Sequence, residues 1–571
     1  MISRRTFLKA SLMGCLGLLA FSGSGCNLLT GPVEHSRLNN QNLAELNNID
    51  HNGWAKLSCG PDIWYWRRED AFYFNQAHPR DNFAHWPLSN KVTYTDVAII
   101  GAGPAGLVCA HHLGQLGVDK IILLDSCHRP GGSSQSFDPA QGRSFSGVIS
   151  QNIPWATARL SLPNDQDEKL LNFLLEQKVV EGFDAASRAQ YTDGALAFYP
   201  QERLLNVGRW VFGNYDSTDR LLSENQDQHR AADNFDNFLE QMENKRGRDG
   251  KLYFTSPKSL VSAQAQALEQ ITLQEYLQQN HLLTEEIEQF VNRVVYSESG
   301  LSIEQISAWA GLYQLCRDKV RMTKPQRLFL TWERGCAQLL EPLYEKWYQS
   351  IKTSTHVLYW HEDRHQGELL CLNLKDKCRE RIVAKEIVFA SSTANLAQLL
   401  NVPLSDKLTF WNAIAFQTKL EPLTYNQKFL NAPSAFTSRL NNHPSTIYID
   451  SRCQRPSSLP HKHTILLRRC PQRLEANRLA DYFTQISLET APFIDNFAQL
   501  SHEFWTSNFG PFRAALPNRK PIWQNLSQAI GHFSHLHLAL TDSCTCPNFA
   551  QSFDNGWQAA EMVNLALHRQ L

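Results

Sequence analysis

The clearest pattern of apolar and polar residues lies between positions 96 and 134. A run of four apolar residues, 97–100, predicts a strand buried in a parallel sheet. After a glycine-rich turn, apolar residues recur on one face of a helix that ends at Gly117. A second apolar run, 121–124, stops at Asp125. The pattern therefore predicts a strand, a helix and a second strand in one β-α-β unit.

The turn between the first strand and the helix has the spacing G-x-G-x-x-G. In such a turn the first glycine permits the tight bend, the second lets the backbone approach a pyrophosphate, and the third lets helix and strand pack closely. The helix N-terminus faces the phosphate charge, and the acid after the second strand can accept hydrogen bonds from a ribose diol. This register favours a dinucleotide site over an ordinary β-α-β turn. The predicted contacts are Gly101, Ala102, Gly103, Pro104, Ala105, Gly106, Asp125 and Ser126.

A second glycine pair follows at Gly131 and Gly132, preceded by Arg129 and followed by Ser133. The segment resembles the R-x-G-G segment of two-domain flavoproteins, which implies that its backbone N–H groups and the arginine meet a pyrophosphate from its other side. We therefore add these four residues to the predicted cofactor contacts. The alternative interpretation is a Gly-Gly hairpin turn without a ligand.

The periodicity changes along the rest of the chain. Amphipathic helices are predicted at 170–180, 234–243, 273–280 and 285–295. Strand–helix–strand order resumes at 329 and again near the C-terminus. The predicted fold class is α/β, with a parallel Rossmann-like sheet and an inserted, mixed α+β substrate domain. The predicted boundaries are 1–26 for a signal, 27–90 for an aromatic-rich extension, 91–155, 329–395 and 529–571 for the nucleotide domain, and 156–328 and 396–528 for the substrate domain.

Composition narrows the class of function. The 571 residues include 55 Lys and Arg against 56 Asp and Glu, a net charge of −1, so nothing indicates a nucleic-acid surface. Hydrophobic residues make up 42% of the chain, which supports a large packed core. Cysteines are scattered without a C-x-x-C pair, and His532, His535 and His537 have no acid or cysteine at ligand spacing. Neither a metal nor covalently attached haem is predicted.

The first thirty residues have the features of a targeting segment. Twin arginines at positions 4 and 5 precede an apolar run, 10–21, which resembles a twin-arginine export signal. The residues before Cys26 resemble a lipoprotein cleavage site, so Cys26 is the predicted lipidation site. The alternative is simple cleavage near Gly25. We expect a periplasmic protein, either free or tethered to the membrane by lipid.

Residues 27–90 become rich in aromatic side chains before the first predicted strand of the nucleotide domain. Because isolated aromatic residues are usually buried, we expect this extension to pack across that domain. The alternative is a surface for a partner or a membrane.

The C-terminal segment completes a pattern that spans residues 95–571. A strand at 535–540 leads to Asp542, and a helix with Gly556 follows. Together with the two glycine segments and a strand containing Val357, this order resembles the flavin amine oxidase superfamily, which also contains phytoene desaturases and protoporphyrinogen oxidases. The export signal, residues 307–312 and the Asp542 region look more like its exported, spermidine-dehydrogenase-like branch.

The resemblance implies a two-domain flavoprotein with FAD bound along the parallel sheet. It implies that Val357 touches the adenine and that Asp542 meets the ribityl–phosphate region. It also implies that three small residues, Gly556, Ala559 and Ala560, admit the flavin ring.

The chain departs from the family pattern at three places, one of which is Cys544-Thr545-Cys546-Pro547 in place of the usual small residues after Asp542. Ser133 stands where a second arginine is common, and Ser391-Ser392 replaces a small residue and a proline. The implied reaction is hydride transfer from a C–N or C–C bond to the flavin.

The substrate pocket is predicted from an aromatic stretch just before the final cofactor segment. Trp505, Asn508, Phe509 and Phe512 are the candidate wall of a dry pocket that faces the flavin. Ordinary core packing is the alternative. No motif identifies a catalytic residue.

Three functional hypotheses follow from the resemblance. The first is an FAD-dependent amine oxidase or dehydrogenase, and the second is a desaturase- or protoporphyrinogen-oxidase-like enzyme that acts on an apolar substrate. The third is a non-catalytic flavin-binding protein. For an exported enzyme, the electron acceptor would be oxygen, a quinone or a cytochrome.

Overall fold

The computed structural model describes the chain with gaps. The described residues are 54–59, 62–67, 83–137, 153–154, 156–164, 167–196, 202–206, 209–212, 226–255, 261–323, 329–332, 334–403, 408–418, 437–440, 443–450, 464–470, 502–517, 530–531, 533–542 and 548–569.

The described residues form 22 strands and nine α-helices. The strands are β1 (Trp54–Cys59), β2 (Asp62–Arg67), β3 (Leu88–Ile100), β4 (Ile121–Leu124), β5 (Ser136–Phe137), β6 (Ile153–Pro154), β7 (Arg159–Ser161), β8 (Val180–Phe183), β9 (Ala189–Tyr191), β10 (Glu202–Asn206), β11 (Arg209–Phe212), β12 (Phe329–Thr331), β13 (Ile351–Lys352), β14 (Thr355–Glu362), β15 (Gly367–Asn373), β16 (Cys378–Phe389), β17 (Leu408–Thr418), β18 (Thr437–Leu440), β19 (His443–Asp450), β20 (Thr464–Cys470), β21 (His502–Arg513) and β22 (Leu536–Leu538). The helices are α1 (Pro104–Gln115), α2 (Glu168–Glu176), α3 (Gln226–Glu243), α4 (Leu273–Gln279), α5 (Glu285–Ser299), α6 (Ala308–Arg317), α7 (Ala337–Trp347), α8 (Thr393–Leu399) and α9 (Phe549–Arg569).

The nucleotide domain is built on a sheet with the order β13-β4-β3-β16-β15-β14, and β22 also pairs with β16. Strands β4, β3, β16 and β22 are parallel, so their carboxyl ends lie along one edge of the sheet. The predicted β-α-β unit is confirmed as β3, α1 and β4. Strand β3 begins earlier than the apolar run predicts, because it goes on pairing with the long strand β16 as far back as Leu88.

The two faces of this sheet are buried in different ways. Val97 and Ile99 lie in one core with α1, α7 and α9, whereas Ala98 lies in another with Leu369 of the meander formed by β14, β15 and β16. Successive strand residues point to opposite faces, so a sheet covered on both sides requires the continuous apolar run seen at 97–100.

The substrate domain is built on a nine-stranded sheet among the described residues, with the order β1-β2-β21-β17-β20-β19-β18-β10-β11. Helix α5 packs on β19 and β20. The amphipathic helices predicted from the sequence are confirmed as α2, α3, α4 and α5, and α3 to α6 share a second hydrophobic core around Trp309. Three of these helices begin at a hydroxyl cap: Thr272, Thr284 and Ser307.

Only part of the aromatic extension packs on the nucleotide domain, whereas the sequence predicts this of the whole extension. Phe83 and Trp86 pack on Leu358 and Leu372 of the nucleotide domain, as expected. The hairpin formed by β1 and β2 instead joins the substrate sheet, with β2 parallel to β21. The outer strand of a hairpin has unpaired backbone N–H and C=O groups, and β2 pairs these groups with β21 at the edge of the substrate sheet.

Two of the chain's crossings between the domains lie side by side. β7, where the chain enters the substrate domain, pairs with β12, where it returns. Within the described ranges, no helix combines the length and apolar character needed to cross a membrane.

Candidate dinucleotide site

The glycine-rich turn lies at the carboxyl edge of the parallel sheet. The N–H of Gly101 donates to the carbonyl of Leu124 at 2.7 Å, which joins the ends of β3 and β4. A Cβ at Gly101 would lie 2.5 Å from the carbonyl oxygen of Ala390, and one at Gly106 would lie 1.9 Å from that of Gly101. Both positions therefore require glycine, for packing within the turn.

The second glycine segment docks onto this turn. The N–H of Gly131 donates to the carbonyl of Ala102 at 2.7 Å, and Gly131 and Gly132 have φ of 112° and 53°. A Cβ at Gly132 would lie 3.2 Å from the Cα of Gly103, and one at Gly103 would lie 3.7 Å from the Cα of Gly132. The two loops thus meet glycine against glycine at the start of α1, beside the ring of Pro104, and we call this junction the glycine cradle.

Asp125 braces the glycine-rich turn. Its Oδ2 accepts a hydrogen bond from the N–H of Ala102 at 2.9 Å, and its Oδ1 accepts one from the N–H of Cys127 at 2.8 Å. The side chain is largely buried. The Asp125 carboxylate therefore stabilises the turn, a role that the G-x-G-x-x-G pattern does not indicate. The predicted cofactor contacts of Asp125 and Ser126 stay predictions.

Val357 lies close to the end of β4. It is buried with Ala98 and Leu124 in one cluster. Two residues earlier, the N–H of Thr355 donates to the carbonyl of Asp125 at 2.8 Å. The placement agrees with the adenine end of a dinucleotide, while the contact with adenine stays a prediction.

Asp542 joins the second and third cofactor segments. Its Oδ1 accepts hydrogen bonds from the N–H and the hydroxyl of Thr393, both at 2.7 Å, at the start of α8. The N–H of Thr541 donates to the carbonyl of Ser391 at 3.1 Å. Asp542 has no exposed surface (0%), and its hydrogen bonds fix the start of α8, while its predicted contact with the ribityl–phosphate region stays a prediction.

The small residues of the final helix serve helix packing. A Cβ at Gly556 would lie 2.2 Å from the carbonyl oxygen of Ala105 in α1. Ala559 and Ala560 are buried in the core that also contains Ala105. These residues therefore admit helix α1, and the expectation that they admit a flavin ring is not supported.

The four predicted pocket residues all lie in β21, between β2 and β17 of the substrate sheet. Trp505 pairs with Ala415, Asn508 with Asn412, and Phe512 with Thr409; Phe509 pairs with Trp411. Strand β21 also contacts α8, the helix held by Asp542. The strand is thus close to the cofactor edge, and its role as a pocket wall stays a prediction. Cys26 and His532 lie outside the described residues.

Three residues with a part in the site were missed by sequence reasoning. Thr393 holds Asp542, Thr157 donates from its hydroxyl to the carbonyl of Ser133 at 3.2 Å, and Gly335 has φ of 57°. A Cβ at Gly335 would lie 2.8 Å from the carbonyl oxygen of Thr157. Two signals were available in the sequence. Ser392 and Thr393 follow a predicted strand, as is typical of a helix start, and Gly335 is an isolated glycine before a helix.

A separate polar cluster lies nearer the amino ends of the parallel strands. Glu386, buried in β16, contacts His537 at 2.7 Å and His535 at 3.4 Å. In the described part of the chain, no group of three His, Cys, Asp or Glu residues could hold a metal ion. The cluster ties β22 to β16 and is not part of the dinucleotide site.

Comparisons with known proteins agree with this geometry. A family model described as an NAD(P)-binding Rossmann-like domain matches residues 99–154. No curated protein matches the sequence.

Similar solved structures span most of the chain. Cyclohexylamine oxidase from Brevibacterium oxydans IH-35A is 14% identical, with 83% of this chain and 100% of that chain covered and a TM-score of 0.54. A double mutant of putrescine oxidase is 12% identical, with 83% and 99% covered and a TM-score of 0.51. A fatty acid isomerase from P. acnes that produces CLA is 12% identical, with 82% and 98% covered and a TM-score of 0.56. Residues 99–154 therefore match an NAD(P)-binding Rossmann-like domain, and the fold of the chain is similar to the folds of these solved structures.

Proposed function

We propose that the protein is an FAD-dependent oxidoreductase that oxidises an amine. The observation that carries the proposal is the approach of Gly103 to Gly132, where a Cβ on Gly132 would lie 3.2 Å from the Cα of Gly103. A domain that binds only a nicotinamide cofactor does not need this second glycine segment. Two opposed glycine loops fit a pyrophosphate held from both sides, as in FAD bound along its length.

The residues of the cradle match the chemistry of a diphosphate. Pro104 occupies the first turn of α1 and leaves no N–H to satisfy there, while the following amides and the helix dipole favour negative charge. Asp125 holds Ala102 in place, so the turn is already in position before a ligand arrives. Bound FAD would supply the two-electron acceptor for hydride transfer.

The choice of an amine as substrate is supported by the chain's resemblance to the exported spermidine-dehydrogenase-like branch. Two structural neighbours are also named as amine oxidases. Another neighbour is named as a fatty acid isomerase, which supports an apolar substrate as the second candidate. A desaturase- or protoporphyrinogen-oxidase-like reaction would belong to that second class.

The proposed location is the periplasm, reached by the twin-arginine route, with Cys26 as the site of a lipid tether. The twin arginines at positions 4 and 5 and the apolar run 10–21 support this. A quinone or a cytochrome is the proposed alternative to oxygen as electron acceptor. Replacing Cys26 with Ser should release the protein from the membrane fraction, and membrane retention of that variant would argue against a lipid tether.

An anaerobic reduction experiment separates the candidate substrates. The purified protein, loaded with FAD, would be mixed without oxygen with polyamines and monoamines, and separately with carotenoid or porphyrinogen precursors. Loss of the oxidised-flavin absorption with amines alone supports the proposal. Loss with the apolar precursors alone supports the second candidate. If bleached protein stays reduced when oxygen returns, the acceptor is a quinone or a cytochrome.

A further inference from the structure

The cofactor loop is linked to the substrate domain by a short chain of contacts. The hydroxyl of Thr157 donates to the carbonyl of Ser133, at the end of the second glycine segment, at 3.2 Å. The carbonyl of Thr157 accepts from the N–H of Cys336 at 3.0 Å. Thr157 thus touches both the cofactor loop and the segment by which the chain returns to the nucleotide domain. Strand β7 begins two residues later, at Arg159.

Arg159 lies between two elements of the substrate domain, α5 and β10, and the returning strand β12. Its guanidinium approaches Glu298, near the end of α5, at 3.1 Å and Glu202, at the start of β10, at 3.7 Å. It also stacks over the ring of Phe329 in β12, at 4.0 Å from the ring centroid. The side chains of Arg159 and Glu202 are 11% and 1% exposed. One buried cation therefore holds the ends of a strand and a helix against the interdomain ribbon of β7 and β12.

A hydrogen bond fixes the other end of β7. The hydroxyl of Ser161 donates to Oδ1 of Asp318 at 2.9 Å, and Arg317 contacts the same oxygen at 2.7 Å. Because β7 is held at both ends, contacts run from Ser133 through Thr157 and Arg159 to β10 and α5. Coupling of this kind needs a continuous run of packed and hydrogen-bonded groups, which these residues supply.

Arginine suits this position for physical reasons. A buried carboxylate is costly without a partner, and two carboxylates need a partner that can serve both. The planar guanidinium can face two acids and stack on an aromatic ring at the same time, whereas an ammonium group acts as a single point charge.

We propose that Arg159 is a positioning residue that couples the cofactor loop at Ser133 to the substrate domain. When FAD fills the dinucleotide site, the fixed loop orders β10 and the final turn of α5 through Thr157 and Arg159. The proposal rests on the proposed function only in taking FAD as the occupant of the cradle. Coupling between sites is reciprocal. FAD should therefore tighten the binding of a substrate analogue that orders the substrate domain, and the analogue should tighten FAD binding by the same factor.

Hydrogen exchange of the full-length protein, freed of FAD and then reloaded, tests this directly. In the unmodified protein, FAD should slow exchange at 101–106 and 131–134, and should also slow it about tenfold in β10 and at the end of α5. In Arg159→Met, the first two segments should still be protected by FAD, while β10 and α5 should no longer respond. Arg159→Lys should restore part of the response, and Thr157→Val should weaken it with the ion pairs intact.

The matched control is Arg188→Met. Arg188 forms an exposed ion pair with Asp184 in the hairpin of β8 and β9. This variant should keep the full response of β10 and α5 to FAD.

The outcomes are distinguishable. If FAD protects β10 and α5 equally in Arg159→Met and in the unmodified protein, Arg159 does not couple the two sites. If FAD protects 101–106 and 131–134 but leaves β10 and α5 unchanged in the unmodified protein, the coupling is absent. If FAD protects none of these segments in the unmodified protein, the proposed function itself fails.

Discussion

Oδ1 of Asp542 accepts two hydrogen bonds from Thr393, one from its N–H and one from its hydroxyl, both at 2.7 Å. The two residues lie 149 positions apart in the chain and in different cofactor segments. The contact holds the start of α8 against the end of β22, at the edge where the glycine-rich turn also lies. The acid that resembles a flavin ligand in the sequence is thus buried and bound to Thr393, and its contact with the cofactor stays a prediction.

Removal of the Asp542 carboxylate should destabilise the whole nucleotide domain. Asp542→Ala leaves the N–H and hydroxyl of Thr393 buried without this acceptor, at an expected cost of about 2 kcal/mol in the free energy of unfolding. Thr393→Val removes only the hydroxyl donor and should cost less. Urea unfolding of both variants measures the difference. If Asp542→Ala unfolds like the unmodified protein but no longer retains FAD, Asp542 is a direct cofactor ligand after all.

Gly556 provides a test of the helix-packing interpretation. Gly556→Ala would place a Cβ 2.2 Å from the carbonyl oxygen of Ala105, so α9 must shift away from α1. Overpacking of this kind typically costs about 1–3 kcal/mol. Thermal unfolding should show the loss, while the absorption spectrum of bound flavin should keep its shape. A shifted flavin spectrum at unchanged melting temperature would instead place Gly556 beside the ring.

The packing of α1 on α9 should also depend on pH. His112 lies stacked on Trp557, with ring centroids 3.6 Å apart, and burial lowers the pKa of His112 below its usual value, with Glu176, Glu561 and Gln115 opposing the shift and Lys169 adding to it. Below a pH of about 6.5 the unfolded chain therefore takes up a proton that the folded chain does not.

Stability should accordingly fall as pH decreases through this range and should hold above it. His112→Gln should flatten the dependence of the melting temperature on pH between about 5 and 7. His281→Gln, at an exposed turn after α4, serves as the control. An equal slope in His112→Gln and the unmodified protein would show that His112 is not the group responsible.

The sequence predicts the nucleotide domain well because its signals are local. Constraints within one β-α-β unit determine the apolar run 97–100, the spacing of Gly101 and Gly106, and the acid at Asp125. The helices α2 to α5 are likewise predicted from the apolar face of each. These features are confirmed by β3, α1, β4 and the four helices.

The contacts that the sequence does not predict depend on partners far away in the chain. No residue near Asp542 in the sequence indicates that Thr393 will donate hydrogen bonds to it. A glycine at position 556 is expected whether its neighbour is a flavin ring or the carbonyl of Ala105. The hairpin of β1 and β2 could pair with any open sheet edge, and only the tertiary structure shows that the edge is β21. Small residues and buried acids indicate close approach without identifying what approaches.

The central claim is that the glycine cradle binds FAD, and a titration of FAD into Gly103→Ala tests it most directly. A Cβ at Gly103 would lie 3.7 Å from its nearest neighbour, Gly132, so the fold should tolerate the change while the methyl group occupies the space of the pyrophosphate. Gly182→Ala, in β8 with no atom within 4 Å of the added Cβ, is the matched control. We predict that the unmodified protein and Gly182→Ala bind FAD alike, and that Gly103→Ala has the same melting temperature without FAD but binds it at least about tenfold more weakly, a loss of about 1.4 kcal/mol. Equal FAD affinity in all three proteins, or no binding by the unmodified protein, would contradict the account.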